Sequence, residues 1–391
     1  MKSSLKSAVA IAVAGALAVS SQAEAGGATK IPSVVIKVEN SAPSRGSFLT
    51  PIWFGLHDGT FDLYNRGEPL GAEGTVPAPA VERIAEDGAI GPLNEAFAAA
   101  QPYGQQGIFF APTGPFAPSD VSAITIQVDP QFDRYFSYAS MVLPSNDAFI
   151  ANGNALAHEI FDDRGRFVAQ NFAVAGTEVL DAGTEFNDEV AGNTAFVAQA
   201  APDTGVPENG VVLLHPGFRT DLAYPDGIIN RPVLGNANFL ADGYRVATVK
   251  FEFVDLGGRV RFRANLNAHQ EASAELVESR GRGRADIVSN NAESLDINVS
   301  YRRLTGPLVA AHLHLGGEGS NGPVVADLSA AIDGSGRLNT TISAADIVGP
   351  LAGDTDAVLA LLNELAAGNV YVNLHTEANP AGEIRGQVDL R

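Results

Sequence analysis

Glycine and proline punctuate this chain along its whole length, 41 and 22 of them in 391 residues. Both interrupt helices, glycine through its backbone entropy and proline through its missing N–H. Short runs between closely spaced turns suit strands, so the expected class is all-β with a few short helices. Hydrophobic residues make up 45% and charged residues 18%, the balance of a globular chain. The length exceeds what one average domain needs.

The first 25 residues read as an address. Lys2 and Lys6 precede an apolar run from Ala8 to Val19, and Ala23-Glu24-Ala25 has the small-x-small form of a cleavage site. The run is too short to span a bilayer, and no later segment is apolar for long enough. Cleavage after Ala25 removes two lysines and one glutamate, taking the formal charge from −20 to −21. So acidic a protein is not expected to bind nucleic acid or anionic lipid through its bulk charge, whereas cations suit it. The sequence contains no cysteine, which excludes thiolate catalysis and cysteine-ligated metal. An exported chain without disulfides reads as a bacterial periplasmic, secreted or cell-surface protein.

Alternation predicts strands at Ile31 to Glu39, Ala123 to Val128, Phe136 to Leu143, Val260 to Leu266, Leu295 to Tyr301, Val309 to Leu315 and Val370 to Leu374. Pro79 to Ala100 has a helical stripe of Val81, Ile84 and Ala85, broken at Gly88 and Gly91. A second helix is expected where Asp354 or Thr355 caps a face of Val358, Leu359, Leu362 and Leu365, with Gly368 ending it. Leu256-Gly257-Gly258 reads as a domain joint. The expected modules are residues 26–256 and 259–391, after a signal peptide at residues 1–25.

Two stretches of the first module place carboxylates in turns, Pro144-Ser145-Asn146-Asp147 and Asp181-Ala182-Gly183-Thr184-Glu185. Hard cations such as calcium take several oxygen ligands, although turn aspartates commonly bond their own backbone instead. With His57-Asp58-Gly59-Thr60-Phe61-Asp62-Leu63, these runs resemble the spondin N-terminal domain in its bacterial form. The resemblance covers about Ile31 to Val254. It implies a β-sandwich with calcium at loops on one end, held by Asp147 and Asp181 with Glu185 and Asp188. It also implies an extracellular-matrix or adhesive setting. The disulfides of the family's animal members are missing here, so their receptor binding does not carry over. His57, Asp58, His158 and His215 read as loop residues bonding to backbone rather than catalytic groups.

The second module holds a sharper signal. In Ala311-His312-Leu313-His314-Leu315-Gly316-Gly317, strand alternation puts His312 and His314 on one face. In Tyr371-Val372-Asn373-Leu374-His375 the same parity groups Tyr371, Asn373 and His375. If the strands are neighbours, three imidazoles converge, a donor set for copper or zinc. The bland alternative is imidazoles bonded to carbonyls on a half-exposed sheet. Nothing places His269 as a fourth ligand. The run His312 to Gly317 with Asn321-Gly322-Pro323-Val324-Val325, followed by Tyr371 to Thr376 and Pro380-Ala381-Gly382-Glu383-Ile384-Arg385-Gly386-Gln387, resembles the CHRD (chordin-type) domain over about Arg259 to Arg391. His269-Gln270-Glu271-Ala272-Ser273 replaces the usual opening. The resemblance implies a β-sandwich or barrel with extracellular roles and supplies no catalytic residues. Glu383, Arg385 and Gln387 alternate with Ile384, Gly386 and Val388 and read as one face of a half-buried last strand, making either an ion pair between Glu383 and Arg385 or hydrogen bonds that orient a histidine.

Together these features predict two β-sandwich-like domains in an exported, non-catalytic binding or structural protein. Its partner would be an extracellular protein or glycan. The alternative is a copper- or zinc-binding periplasmic protein using His312, His314 and His375. Copper–zinc superoxide dismutase also uses His-x-His on a strand, an analogy of site only. No nucleophile–base set or cofactor loop is visible, and turn carboxylates are too common to argue for a hydrolase.

Overall fold

A computed structural model describes residues 30–391 apart from 112–113, 203, 223–225, 274–275 and 355. The expected signal peptide, and Thr355 as a helix cap, lie outside the described residues. The fold is all-β, with three α-helices among the described residues. None of them is long and apolar enough to cross a membrane.

The first module is a sandwich. Its four-stranded sheet runs Val121–Gln127, Pro32–Asn40, Arg245–Asp255 and Phe172–Ala175, all antiparallel. The facing sheet is built around Ile52–His57 and Tyr135–Leu143. Val34, Ile36 and Val38 of the first sheet pack against Phe54, Leu56 and Phe136 of the second. The other face of the second sheet carries Trp53, which packs with Ile84 and Phe97 of the helices Ala78–Asp87 and Gly91–Ala100. Gly88, at φ 65°, ends the first helix in the left-handed conformation.

Of the sandwich and the barrel expected of it, the second module takes the barrel form. One eight-stranded antiparallel sheet takes the order Val324–Asp327, Leu308–Leu315, Val370–Thr376, Ile384–Leu390, Arg261–Asn267, Arg282–Asn290, Ser294–Arg302 and Arg337–Ser343. A bridge from Ala326 to Ile347 nearly closes it into a barrel. Leu295, Ile297 and Val299 point into the core as alternation predicts. The helix Ala357–Ala367 begins at Asp356, whose side chain makes no cap, and it buries Leu361 rather than Leu359 beside Val358, Leu362 and Leu365. The last strand is not half-buried, because Glu383 and Arg385 are as buried as Ile384 and Val388.

The joint at Leu256 is stiffer than its glycines suggest. Val35, Val254 and Leu256 belong to the core of the second module, so Pro32–Asn40 is buried on both faces. Its run Ser-Val-Val-Ile is accordingly continuous rather than alternating. The helix Ala357–Ala367 also rests on the first module, where Thr125 Oγ1 donates to the Asn363 carbonyl at 2.9 Å. Thermal unfolding should therefore show one transition for both modules. Val35→Asp, which buries an unpaired carboxylate in the shared core, should lower it by about 3 kcal/mol or more. Two separate calorimetric transitions, only one of them moved by the substitution, would refute a shared core.

Candidate metal centre

Leu308–Leu315 and Val370–Thr376 are neighbours, paired with Ala310 opposite His375, His312 opposite Asn373 and His314 opposite Tyr371. Ala311 and Leu313 point into the core, which turns His312 and His314 outward. His375 sits on the same outer face, one diagonal step from His312. One ring nitrogen from each of His312, His314 and His375 lies within 4.8 Å of the others.

The second nitrogen of each ring fixes its role. Backbone carbonyls only accept, so His314 Nδ1–H donates to Gly322 O at 2.9 Å and His375 Nδ1–H donates to Pro380 O at 3.1 Å. Both Nε2 atoms therefore carry lone pairs in the neutral rings. His312 Nδ1 donates to His375 Nε2 at 3.1 Å, while its own Nε2 lies 3.7 Å from Asp327 Oδ1 on the neighbouring strand. His314 Nε2 is buried and has no hydrogen-bond partner. Burial is the main cause holding all three imidazoles below their ordinary pKa, against a smaller upward pull from Asp327 on His312. Neutral rings need release no proton to ligate a cation.

The surroundings lock this geometry. Tyr371 stacks on His314 with the rings parallel to within 5° and their centres 4.8 Å apart, and the Arg385 guanidinium lies 3.5 Å from the Tyr371 ring centre. Arg385 Nη2 donates to Gly317 O at 2.8 Å, and Gln387 Nε2 donates to Gly316 O at 3.0 Å. They pin the glycine-rich loop that carries Gly322. The Gly322 N–H donates to Tyr371 Oη at 3.2 Å, closing a ring through His314. A Cβ on Gly322 would meet the Leu315 carbonyl oxygen at 1.6 Å, so the loop can pass here only with glycine. Gly322→Ala should displace the carbonyl that orients His314, and for a metal held at this cluster it should weaken binding about 10- to 100-fold, the usual loss when such a support is removed. Metal titration checks this, and unchanged affinity would show that the carbonyl does not matter.

Three neighbours of the site escaped the sequence reading. Asp327 has no spacing signal because only strand pairing places it. Pro380 and Gly322 lie inside the quoted motifs but act through backbone carbonyls, which side-chain patterns do not reveal. Of the two readings for Glu383 and Arg385, the ion pair is not formed: Glu383 is bonded to Ser279, Thr305 and Thr376, and Arg385 stacks on Tyr371. His269 sits exposed in a turn after Arg261–Asn267 and is not part of the cluster.

Residues 262–388 match the CHRD domain family. This is a CHRD domain, of a kind found in extracellular proteins. No curated protein matches the chain. The spondin-like resemblance of the first module has no family match and rests on its residues alone.

In that first module, Asp147 Oδ2 accepts from Thr184 N, Thr184 Oγ1 and Glu185 N at 3.0, 3.2 and 3.1 Å. Asp181 accepts from Gly183 N and Asn187 Nδ2, Glu185 from Gly205 N, and Asp188 from Val190 N and Asn193 Nδ2. Each carboxylate holds a loop in shape. No three of them bring ligand atoms together as the histidines do. Burial, with the Asp181 charge adding to it, pushes Asp147 up to about 7, and its Oδ1 has no hydrogen-bond partner.

His57 Nδ1 accepts from Gly59 N at 3.0 Å, so Nε2 carries the proton and donates to Ser137 Oγ at 2.9 Å. A ring in that tautomer cannot take the serine's proton, and both residues are fully buried. His215 repeats the pattern, with Gly217 N donating to Nδ1 and Nε2 bonded to Asn187 Oδ1. His158 stacks on Phe172 at 3.8 Å. Burial pulls all three of these rings down to about 4.

Proposed function

We propose that this is an exported metal-binding protein whose CHRD domain holds one copper or zinc ion on His312 Nδ1, His314 Nε2 and His375 Nε2. The observation that carries this reading is His314 Nε2, a buried lone pair with no partner, directed to where two more ring nitrogens converge. A purely structural histidine would have both nitrogens satisfied, because an unmet buried polar atom costs about 1–3 kcal/mol. On ligation the His312 proton moves from Nδ1 to Nε2 and turns toward Asp327, the carboxylate–histidine arrangement common behind metal ligands. All-nitrogen donors suit copper and zinc and do not suit calcium or magnesium. Three protein ligands leave a fourth position for water or a small ligand, and no nucleophile–base pair adjoins it. A binding or carrier role follows, in keeping with the extracellular type of the domain.

The test is elemental analysis of residues 26–391 purified without chelator or immobilised nickel, then offered copper and zinc. One equivalent bound, and lost in a His312→Ala/His314→Ala variant that still melts cooperatively, is the expected result. No uptake of either metal would end this reading. Calcium is offered in the same series. The unpartnered Asp147 Oδ1 beside Asp181 supports a calcium role for the acidic loops, which predicts a calcium-dependent rise in melting temperature that Asp147→Asn removes.

A further inference from the structure

On a chain of net charge −20, the outer face of the second module beyond Arg385 is locally basic. Beyond Lys250 every lysine-or-arginine position is arginine. Strand alternation turns Arg263, Arg282, Arg284 and Arg302 outward, with Arg337 beside them on the sheet's edge strand. The register sets Arg282 directly opposite Arg302, and puts Arg284 and Arg337 on either side of Ser300. Neighbouring strands lie about 4.8 Å apart and alternate residues about 7 Å along a strand, so these guanidiniums form a tight grid.

The outward carboxylates on and beside this face, Asp286, Asp296 and Asp389, are fewer than its arginines; Asp389 lies opposite Arg263, and Asp296 accepts from Asn290 Nδ2 and Thr341 Oγ1. Asp286 serves two arginines, accepting from Arg263 Nε at 2.9 Å and Arg284 Nε at 2.8 Å. Among the described residues, Arg282, Arg302 and Arg337 have no carboxylate within ion-pair distance. Asp333, in the turn before Arg337, accepts from its own Ser335 N–H. Like charges directly opposite on a sheet are destabilising. The Arg282–Arg302 pair is thus an unfavourable arrangement that a bound anion would relieve.

The rest of the face says what kind of anion. Its intervening outward positions include Asn265, Asn298, Ser300, Asn339 and Thr341, which offer amides and hydroxyls. No aromatic ring projects outward from these four strands to stack a base, as single-stranded nucleic acid would require. Val288 alone is apolar there, so the hydrophobic centre of a protein interface is missing. Arginine, with its planar fork, matches carboxylate and sulfate groups two bonds at a time. We infer that this arginine–amide face binds an acidic polysaccharide, a hydroxyl-rich chain bearing carboxylate or sulfate groups. The inference is independent of the metal site.

The experiment measures binding of the mature protein to alginate oligosaccharides of defined length. Neutral dextran, single-stranded DNA and vesicles of anionic phospholipid serve as comparison ligands. Alginate should bind in 50 mM salt and weaken about tenfold or more by 200 mM, as expected when several ionic contacts are screened together. Arg282→Gln/Arg302→Gln should weaken it at least tenfold with an unchanged or higher melting midpoint. Arg66→Gln/Arg164→Gln, which removes equal charge from the first module, should leave binding unchanged. If the sheet variant melts early, Arg337→Gln on the edge strand decides, with Arg337→Lys restoring only part of the affinity. Equal loss in both double variants, binding to DNA or vesicles as tight as to alginate, or no alginate binding at 50 mM salt would overturn the inference.

Discussion

His314→Ala is expected to abolish stoichiometric copper or zinc binding while leaving the protein folded. His314 Nε2 is buried without a partner, so the apo protein loses only the Gly322 hydrogen bond and the stack on Tyr371. Those are worth about 1–2 kcal/mol. The metal loses one of its three protein ligands, which should cost more than the roughly 100-fold upper end for supporting residues. With metal at a thousand times its dissociation constant, the wild type gains about 4 kcal/mol from ligation, and its melting midpoint rises by several degrees. The variant should show none of that rise. Melting curves with and without each metal, read beside elemental analysis, make the comparison. A variant that still gains the wild-type shift would mean the ion sits elsewhere.

The largest effect on stability is expected at Glu383. Its fully buried carboxylate accepts from Ser279 Oγ at 2.5 Å, Thr305 N at 2.7 Å, Thr305 Oγ1 at 2.8 Å and Thr376 Oγ1 at 2.6 Å. It therefore ties the segment before Arg282–Asn290 and the turn before Leu308–Leu315 to the end of the strand that carries His375. Glu383→Ala strands these donors and should cost about 3–5 kcal/mol, read as a lower urea midpoint. The pH dependence follows from the same contacts. Burial is the largest single influence and works upward, but the hydrogen bonds from Ser279, Thr376 and Thr305 together outweigh it and hold the carboxyl below its ordinary 4.5. A carboxyl depressed in the folded state contributes stability above its unfolded pKa. That contribution is lost as pH falls through the folded value. The stability gap between wild type and Glu383→Gln should thus be full at neutral pH and shrink below about 4.5. A gap that stays constant down to pH 3 would show that the charge of Glu383 contributes nothing.

Much of the local structure was legible in the residues. Alternation fixed the outward parity of His312 and His314, of His375 with Tyr371, and of Leu295, Ile297 and Val299. Gly88 and Gly368 marked helix ends because a left-handed residue costs glycine little. The turn residue Asp181 announced its bond to the Gly183 N–H two positions on. All of these depend on neighbours a few positions away, so a linear pattern suffices to find them.

Only the tertiary structure decided which strands became neighbours. The site depends on His312 meeting His375 across 63 positions of sequence, and Asp327 faces His312 only because their strands pair. The carbonyls of Gly322 and Pro380 leave no side-chain trace. The near-closed barrel and the double burial of Val35 follow from long-range packing, which residue alternation does not encode. The register that sets Arg282 against Arg302 is of the same kind. Side-chain parity is a property of two successive peptide units, whereas strand order is chosen by the whole core, so the sequence by itself determined which way the three histidines face and the fold determined that they meet.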